Sequence, residues 1–200
     1  MPDAAVYAGR VIDTPDDLAE GVAHLTRVCP VWARTLPELG PLPMRRRPDG
    51  FEAIASAIVG QQISIAAAAA IWQRMEEAGL LTAEAIAAAP DDDLRAAGLS
   101  RPKARYLKGI ATAGLDWNAL RDMPDDQAIA ALVALPGIGV WTAEIYLKFA
   151  LGRAAVIAAG DLALLPNLKR ITGLENGNPG PKLLKALAAR GIVLLPEDQG

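Results

Sequence analysis

A chain of 200 residues, 52% hydrophobic and 22% charged, has room for one substantial core and the composition of a folded rather than a disordered protein. One cysteine (Cys29) and one histidine (His24) exclude a disulfide framework and a cysteine-ligated or multi-histidine metal site. The formal net charge of −3 counts mildly against a nucleic-acid partner, since phosphate binding ordinarily leaves a basic footprint, although the bases cluster in Arg45–Arg47, Arg101–Lys108 and Lys169–Arg190.

The elements read as helices in sequence order. Thr14-Pro15-Asp16-Asp17 has the form of a capping box with proline at the first helical position, predicting a helix to about Cys29. Pro37 to Pro48 reads as a linker that carries Arg45-Arg46-Arg47. Asp49-Gly50-Phe51-Glu52 repeats the cap pattern and opens a helix through Val59, which Gly60-Gln61-Gln62 interrupts. Ser64 caps the next helix, to Glu77, and Gly79 stops it. Short helices follow at Ala83–Ala88 and Asp91–Ala97, and Ser100 caps a basic helix to about Ala113. Pro124–Ala134 is amphipathic and ends in Leu135-Pro136-Gly137-Ile138-Gly139, after which a helix runs from Val140 to about Leu151.

Further on, Gly160-Asp161 before an apolar run has the form of a helix start, yet Pro166 falls inside that helix, and ENGNPGPK breaks the chain before a short helix at Lys182–Arg190. No alternating strand appears, so the expected fold class is all-α. The longest apolar runs are too short or too broken to cross a bilayer, and the first residues lack the pattern of a secretory signal. The expectation is a cytoplasmic protein with no membrane partner.

The hairpin at Leu135–Gly139 is the most informative stretch. Two glycines spaced by one apolar residue allow a tight backbone corner, and the helix that follows points its unpaired amides and positive dipole end outward. Such an end binds phosphate without a lysine. Leu135 and Ile138 are expected to fold inward. Taken alone, the corner reads more readily as a turn that merely redirects the chain.

LPGIGVWTAEIYLKFAL resembles the hairpin of the helix-hairpin-helix DNA glycosylases, and AAGDLAL resembles their Gly/Pro-Asp segment. FEAIASAIVGQQIS and GLSRPKARYLKGIA are similar to segments of the 3-methyladenine DNA glycosylase II branch, so the match runs from about Arg45 to Leu164. After Leu164 the pattern departs: the aromatic-bearing last helix of that family has no counterpart. The resemblance implies a single domain over residues 1–200, with a central helical lobe at 50–155 carrying the hairpin. Residues 1–49 and 156–200 would form a second lobe across a cleft.

It also implies a function: hydrolytic release of alkylated purines from duplex DNA in base-excision repair, by a monomer acting on a flipped nucleotide. Where the endonuclease III branch typically has an attacking lysine, this chain has Trp141, and one cysteine cannot hold that branch's iron–sulfur cluster; a monofunctional enzyme follows. Asp161 falls in the catalytic position, Trp141 and Gln61 at the substrate, and Gln62 where a side chain fills the gap left by the flipped nucleotide. Leu135, Gly137, Ile138, Gly139 and Thr142 of the hairpin, with Arg101 and Lys103, are the expected DNA contacts. No cofactor is expected, apart from a monovalent cation that the carbonyls of Val133, Leu135 and Gly137 resemble positions for holding. Two alternatives stand beside this reading: a DNA-binding module that has lost catalysis, and a helical scaffold for another protein.

Overall fold

The computed structural model describes residues 10–158. Within them the chain forms ten helices: α1 (Pro15–Val28), α2 (Pro30–Leu39), α3 (Phe51–Gly60), α4 (Ile65–Glu77), α5 (Ala83–Ala88), α6 (Asp91–Ala96), α7 (Arg101–Ala111), α8 (Ala119–Asp122), α9 (Asp125–Val133) and α10 (Val140–Phe149). Among the described residues the only extended pairing is an isolated bridge between Val11 and Arg153. No helix of the described residues is long and apolar enough to cross a membrane. The described residues divide into two compact units, one of residues 47–146 and one of residues 10–46 with 147–158.

In the unit of residues 47–146, α7 is the central strut: α3, α5 and α6 all pack on it, and α4 packs on α3. Its buried face is Ala104, Leu107 and Ile110, one residue per turn, while Arg101 and Arg105 stay exposed. Ile54, Ile58, Met75, Ile86, Leu94, Leu120 and Leu132 complete a fully buried apolar core. Burying each such side chain stabilises the fold by roughly 1.5–3 kcal/mol.

Local chemistry explains the starts. Ser64 and Thr82 accept amide hydrogens from Ala67 and Ala85 at 3.2 and 3.1 Å, capping α4 and α5. Asp49, expected to cap α3, does not. The N-cap is Gly50 with φ +91°, and the Asp49 carboxylate takes the Arg121 guanidinium at 2.6 and 2.9 Å. A forked guanidinium satisfies both carboxylate oxygens, which a single amide cannot. Ser100 precedes α7 but makes no side-chain cap. The short α8 was not anticipated; Asp116 seeds it by accepting the amides of Asn118 and Ala119.

The other unit carries the capping box the sequence announces. Thr14 accepts from the Asp17 amide, and Asp17 accepts from the Thr14 amide and hydroxyl. These bonds, the Thr14 hydroxyl first, hold the Asp17 carboxyl down to about 2. The linker expected from Pro37 begins later: α2 runs from Pro30 to Leu39 with Pro37 inside it. Pro30 at the first position suits a helix start, and Pro37 falls in the last turn, where its missing amide removes one bond only. Arg46 ties this unit together, bonding Asp13 at 2.9 Å and the Ala150 carbonyl beyond α10 at 2.5 Å.

Tyr146 of α10 accepts the Gly50 amide at 2.8 Å and is 4% exposed. Burial raises its phenol from 10.0 to about 12. A folded-state pKa above the unfolded one means stability that is full below pH 10.0 and lost as pH climbs toward 12. Tyr146→Phe is expected to cost about 1 kcal/mol at neutral pH through the lost hydrogen bond. The gap to wild type should then narrow in alkali. Urea unfolding at neutral pH and above pH 10 checks both.

Candidate nucleic-acid interface

Leu135-Pro136-Gly137-Ile138 has the chemistry of a type II turn: proline second, glycine third with φ +79°, and the Ile138 amide donating to the Leu135 carbonyl at 3.3 Å. Leu135 and Ile138 are buried, as expected, so their side chains are withdrawn from any ligand. The turn is seated on α7. A Cβ at Gly137 would meet the Tyr106 ring at 2.5–3.0 Å, and a Cβ at Gly109 would meet the Pro136 ring at 2.7 Å. Sequence reading missed Tyr106 and Gly109. Their signal was there, because Lys103, Tyr106 and Gly109 recur every third residue and share one helix face.

The last glycine does different work. A Cβ at Gly139 would meet nothing within 4 Å, and the residue is exposed. Its carbonyl accepts the Ala143 amide at 3.0 Å, the first bond of α10. The amides of Val140, Trp141 and Thr142 therefore have no acceptor within the helix, and they open beside an uncovered backbone. An anion fits such an end. Thr142 is buried, which withdraws the hydroxyl expected at DNA from the surface.

Across from the turn, the loop after α3 is fastened at three points. The Lys103 ammonium donates to the carbonyls of Val59 and Gln61 at 2.7 and 2.8 Å, and the Gln61 amide donates to the Gly137 carbonyl at 3.1 Å. Desolvation lowers the Lys103 pKa, as expected for an ammonium tucked against carbonyls. Both residues expected at substrate or phosphate are thus engaged inside the fold. Between them Gln62 is exposed and adopts φ +58°, a left-handed conformation that non-glycine residues rarely take.

Trp141 is 46% exposed, which removes ordinary core packing as its explanation. One turn later Glu144 is half-buried, and desolvation raises its carboxyl pKa. Arg101 lies in a shallow hollow with Arg95, Arg105 and Lys108, but Asp91 and Asp92 share it. Lys108 is bonded to Asp91 at 2.5 Å and Arg95 to Asp92 at 3.6 Å, so the hollow is mixed rather than basic. The carbonyls of Leu135 and Gly137 each accept one N–H already. Asp161 and the altered tail from Leu165 lie outside the described residues.

Residues 55–192 match the model of the HhH-GPD superfamily base excision DNA repair protein. The chain is similar to the alkylbase DNA glycosidase-like protein mag2 of Schizosaccharomyces pombe, 24% identical over 172 residues, 80% of this chain and 81% of that protein. In structure it is similar to the 3-methyladenine DNA glycosylase of the same yeast, solved with abasic DNA: TM-score 0.69, 27% identity, covering 86% of this chain and 89% of the other. A DNA-3-methyladenine glycosidase of Bacillus halodurans aligns with TM-score 0.71 and 30% identity, over 91% and 83% of the two chains.

The two glycines predict opposite outcomes. Gly137→Ala forces a side chain into the left-handed region and onto Tyr106, and is expected to cost about 1–3 kcal/mol from backbone strain alone. Gly139→Ala should leave the urea midpoint unchanged, because space is open there. Equal loss in both variants would contradict the seating of the turn on α7.

Proposed function

The chain belongs to the HhH-GPD superfamily of base excision DNA repair proteins, and from that premise we propose that it hydrolyses the N-glycosidic bond of alkylated purines, of the 3-methyladenine type, in duplex DNA. The observation that carries this reading is the indole of Trp141, exposed two residues beyond Gly139, where a nucleophilic lysine would make a different enzyme. The names of the relatives in yeast and Bacillus support the same substrate class.

The chain's residues divide the work. The open amides at the start of α10 hold one backbone phosphate, and the uncovered Gly139 lets the strand approach. Gln62, projecting from its left-handed turn, enters the space the everted nucleotide vacates. The Trp141 face lies against the base, where its π-electrons favour a cationic purine over a neutral one. A bound monovalent cation at the hairpin carbonyls would add positive charge beside the phosphate.

As the C1′–N bond breaks, its electron pair leaves with the base and cancels the base's positive charge. The sugar becomes oxocarbenium-like, and the Asp161 carboxylate stabilises it. Water then adds to C1′ and gives its proton to the carboxylate, leaving an abasic site. No covalent enzyme intermediate is required. The protein acts on DNA as a monomer.

The test is release of methylated base from alkylated duplex by the purified chain. Asp161→Asn is expected to lower release by about 100-fold, and Trp141→Ala by about tenfold for a cationic base. Borohydride should trap no protein–DNA adduct. Equal release by wild type and Asp161→Asn would remove the acid from the mechanism, and salt-sensitive binding without release would reduce the chain to a binding module.

A further inference from the structure

We infer that Lys103 and Gln61 are positioning residues that hold Gln62 in register with the hairpin, so that the inserted side chain and the phosphate-binding amides meet one duplex at a fixed separation. The inference rests on the reading above, in which Gln62 and the start of α10 both face DNA.

Three bonds make the device. The Lys103 ammonium clamps the carbonyls of Val59 and Gln61 at 2.7 and 2.8 Å, one at the end of α3 and one in the loop beyond it. A cation at a helix C-terminus satisfies carbonyls that have no amide of their own. The Gln61 side chain then crosses to the Gly137 carbonyl at 3.1 Å, joining the loop to the apex of the turn. The same helix that carries Lys103 seats that apex through Tyr106 and Gly109. The loop and the hairpin are thus referenced to one rigid element and to each other.

Immediately after these anchors stands Gln62, with φ +58° and exposed. A non-glycine residue keeps such a conformation only where its surroundings over-determine it. The anchors on the preceding residue supply that determination: Gln61 is held by both its backbone carbonyl and its side-chain amide, immediately before the strained residue. Without them the backbone at Gln62 is free to relax to φ below zero, which swings the side chain away from the direction it now takes. Phosphate binding at Val140–Thr142 does not need this register; insertion does.

That separation gives the experiment. The affinity of the full chain is measured for a duplex with an abasic-site analogue and for the same duplex intact, using wild type, Lys103→Met, Gln61→Ala, Lys103→Arg and, as a control on the same helix, Lys108→Met. Lys103→Met and Gln61→Ala are expected to reduce the preference for the abasic duplex about tenfold while intact-duplex affinity changes little. Lys103→Arg restores part of the preference, and Lys108→Met retains it.

Hydrogen exchange should rise at residues 60–64 and 135–139 in Lys103→Met and stay unchanged along the rest of α3 and α4, which separates loosened register from general unfolding. A wild-type preference that survives both Lys103→Met and Gln61→Ala overturns the inference alone. A wild type with no preference for the abasic duplex overturns the Gln62 reading together with the inference built on it.

Discussion

The contact between Gly137 and the face of Tyr106 sets the geometry on which the candidate interface depends. A helix can offer its first amides to a phosphate only if the preceding backbone turns sharply and carries no side chain in the way. It must also be held still, because a mobile helix end gives up in ordering entropy what the dipole gains. The left-handed glycine makes the corner, Tyr106 supports it from below, and Gly109 leaves room for the Pro136 ring. Leu135 and Ile138 bury their side chains on either side and fix the corner's tilt. Every later element, from the open amides of α10 to the exposed indole of Trp141, takes its direction from that seat.

This arrangement also accounts for an acidic chain in a family that repairs DNA. The composition reading weighed a net charge of −3 against a nucleic-acid partner, and family membership overturns it. Net charge is a sum over side chains, and most of the basic groups among the described residues are engaged within the fold. Arg121 is held by Asp49, Lys108 by Asp91, Arg46 by Asp13 and carbonyls, and Lys103 by carbonyls alone. What faces outward at the hairpin is backbone, whose partial charges no count of lysine and arginine records.

Much of the fold was legible because helix starts are written locally. Thr14 and Ser64 each cap as expected, from within four residues, where no distant group competes for the side chain. The failures share a cause. Asp49 looks like a cap until Arg121, far along the chain, offers it a better partner. Pro37 looks like a helix stop unless the last turn is already made. In the site, the residue types were legible and their partners were not. Gln61 was visible as a polar residue at a helix break and Lys103 as a base on a charged helix face, whereas their bonds to Gly137, Val59 and Gln61 itself exist only because α3, α7 and the turn converge.

Trp141 makes a chemical choice that the hairpin alone does not. In the reaction proposed here the leaving group is a purine that already carries positive charge. An ammonium at that position would stand near a like charge, and at about 4 Å in a partly shielded site two unit charges repel by roughly 4 kcal/mol. An indole face attracts the same base by about 2 kcal/mol when both are desolvated. A lysine suits a neutral lesion that needs a covalent intermediate to leave; an aromatic suits a cation that leaves by itself once the sugar's charge is stabilised. One position cannot favour both. In the proposed reaction, the absence of a nucleophilic lysine and the preference for alkylated purines become a single property of this side chain.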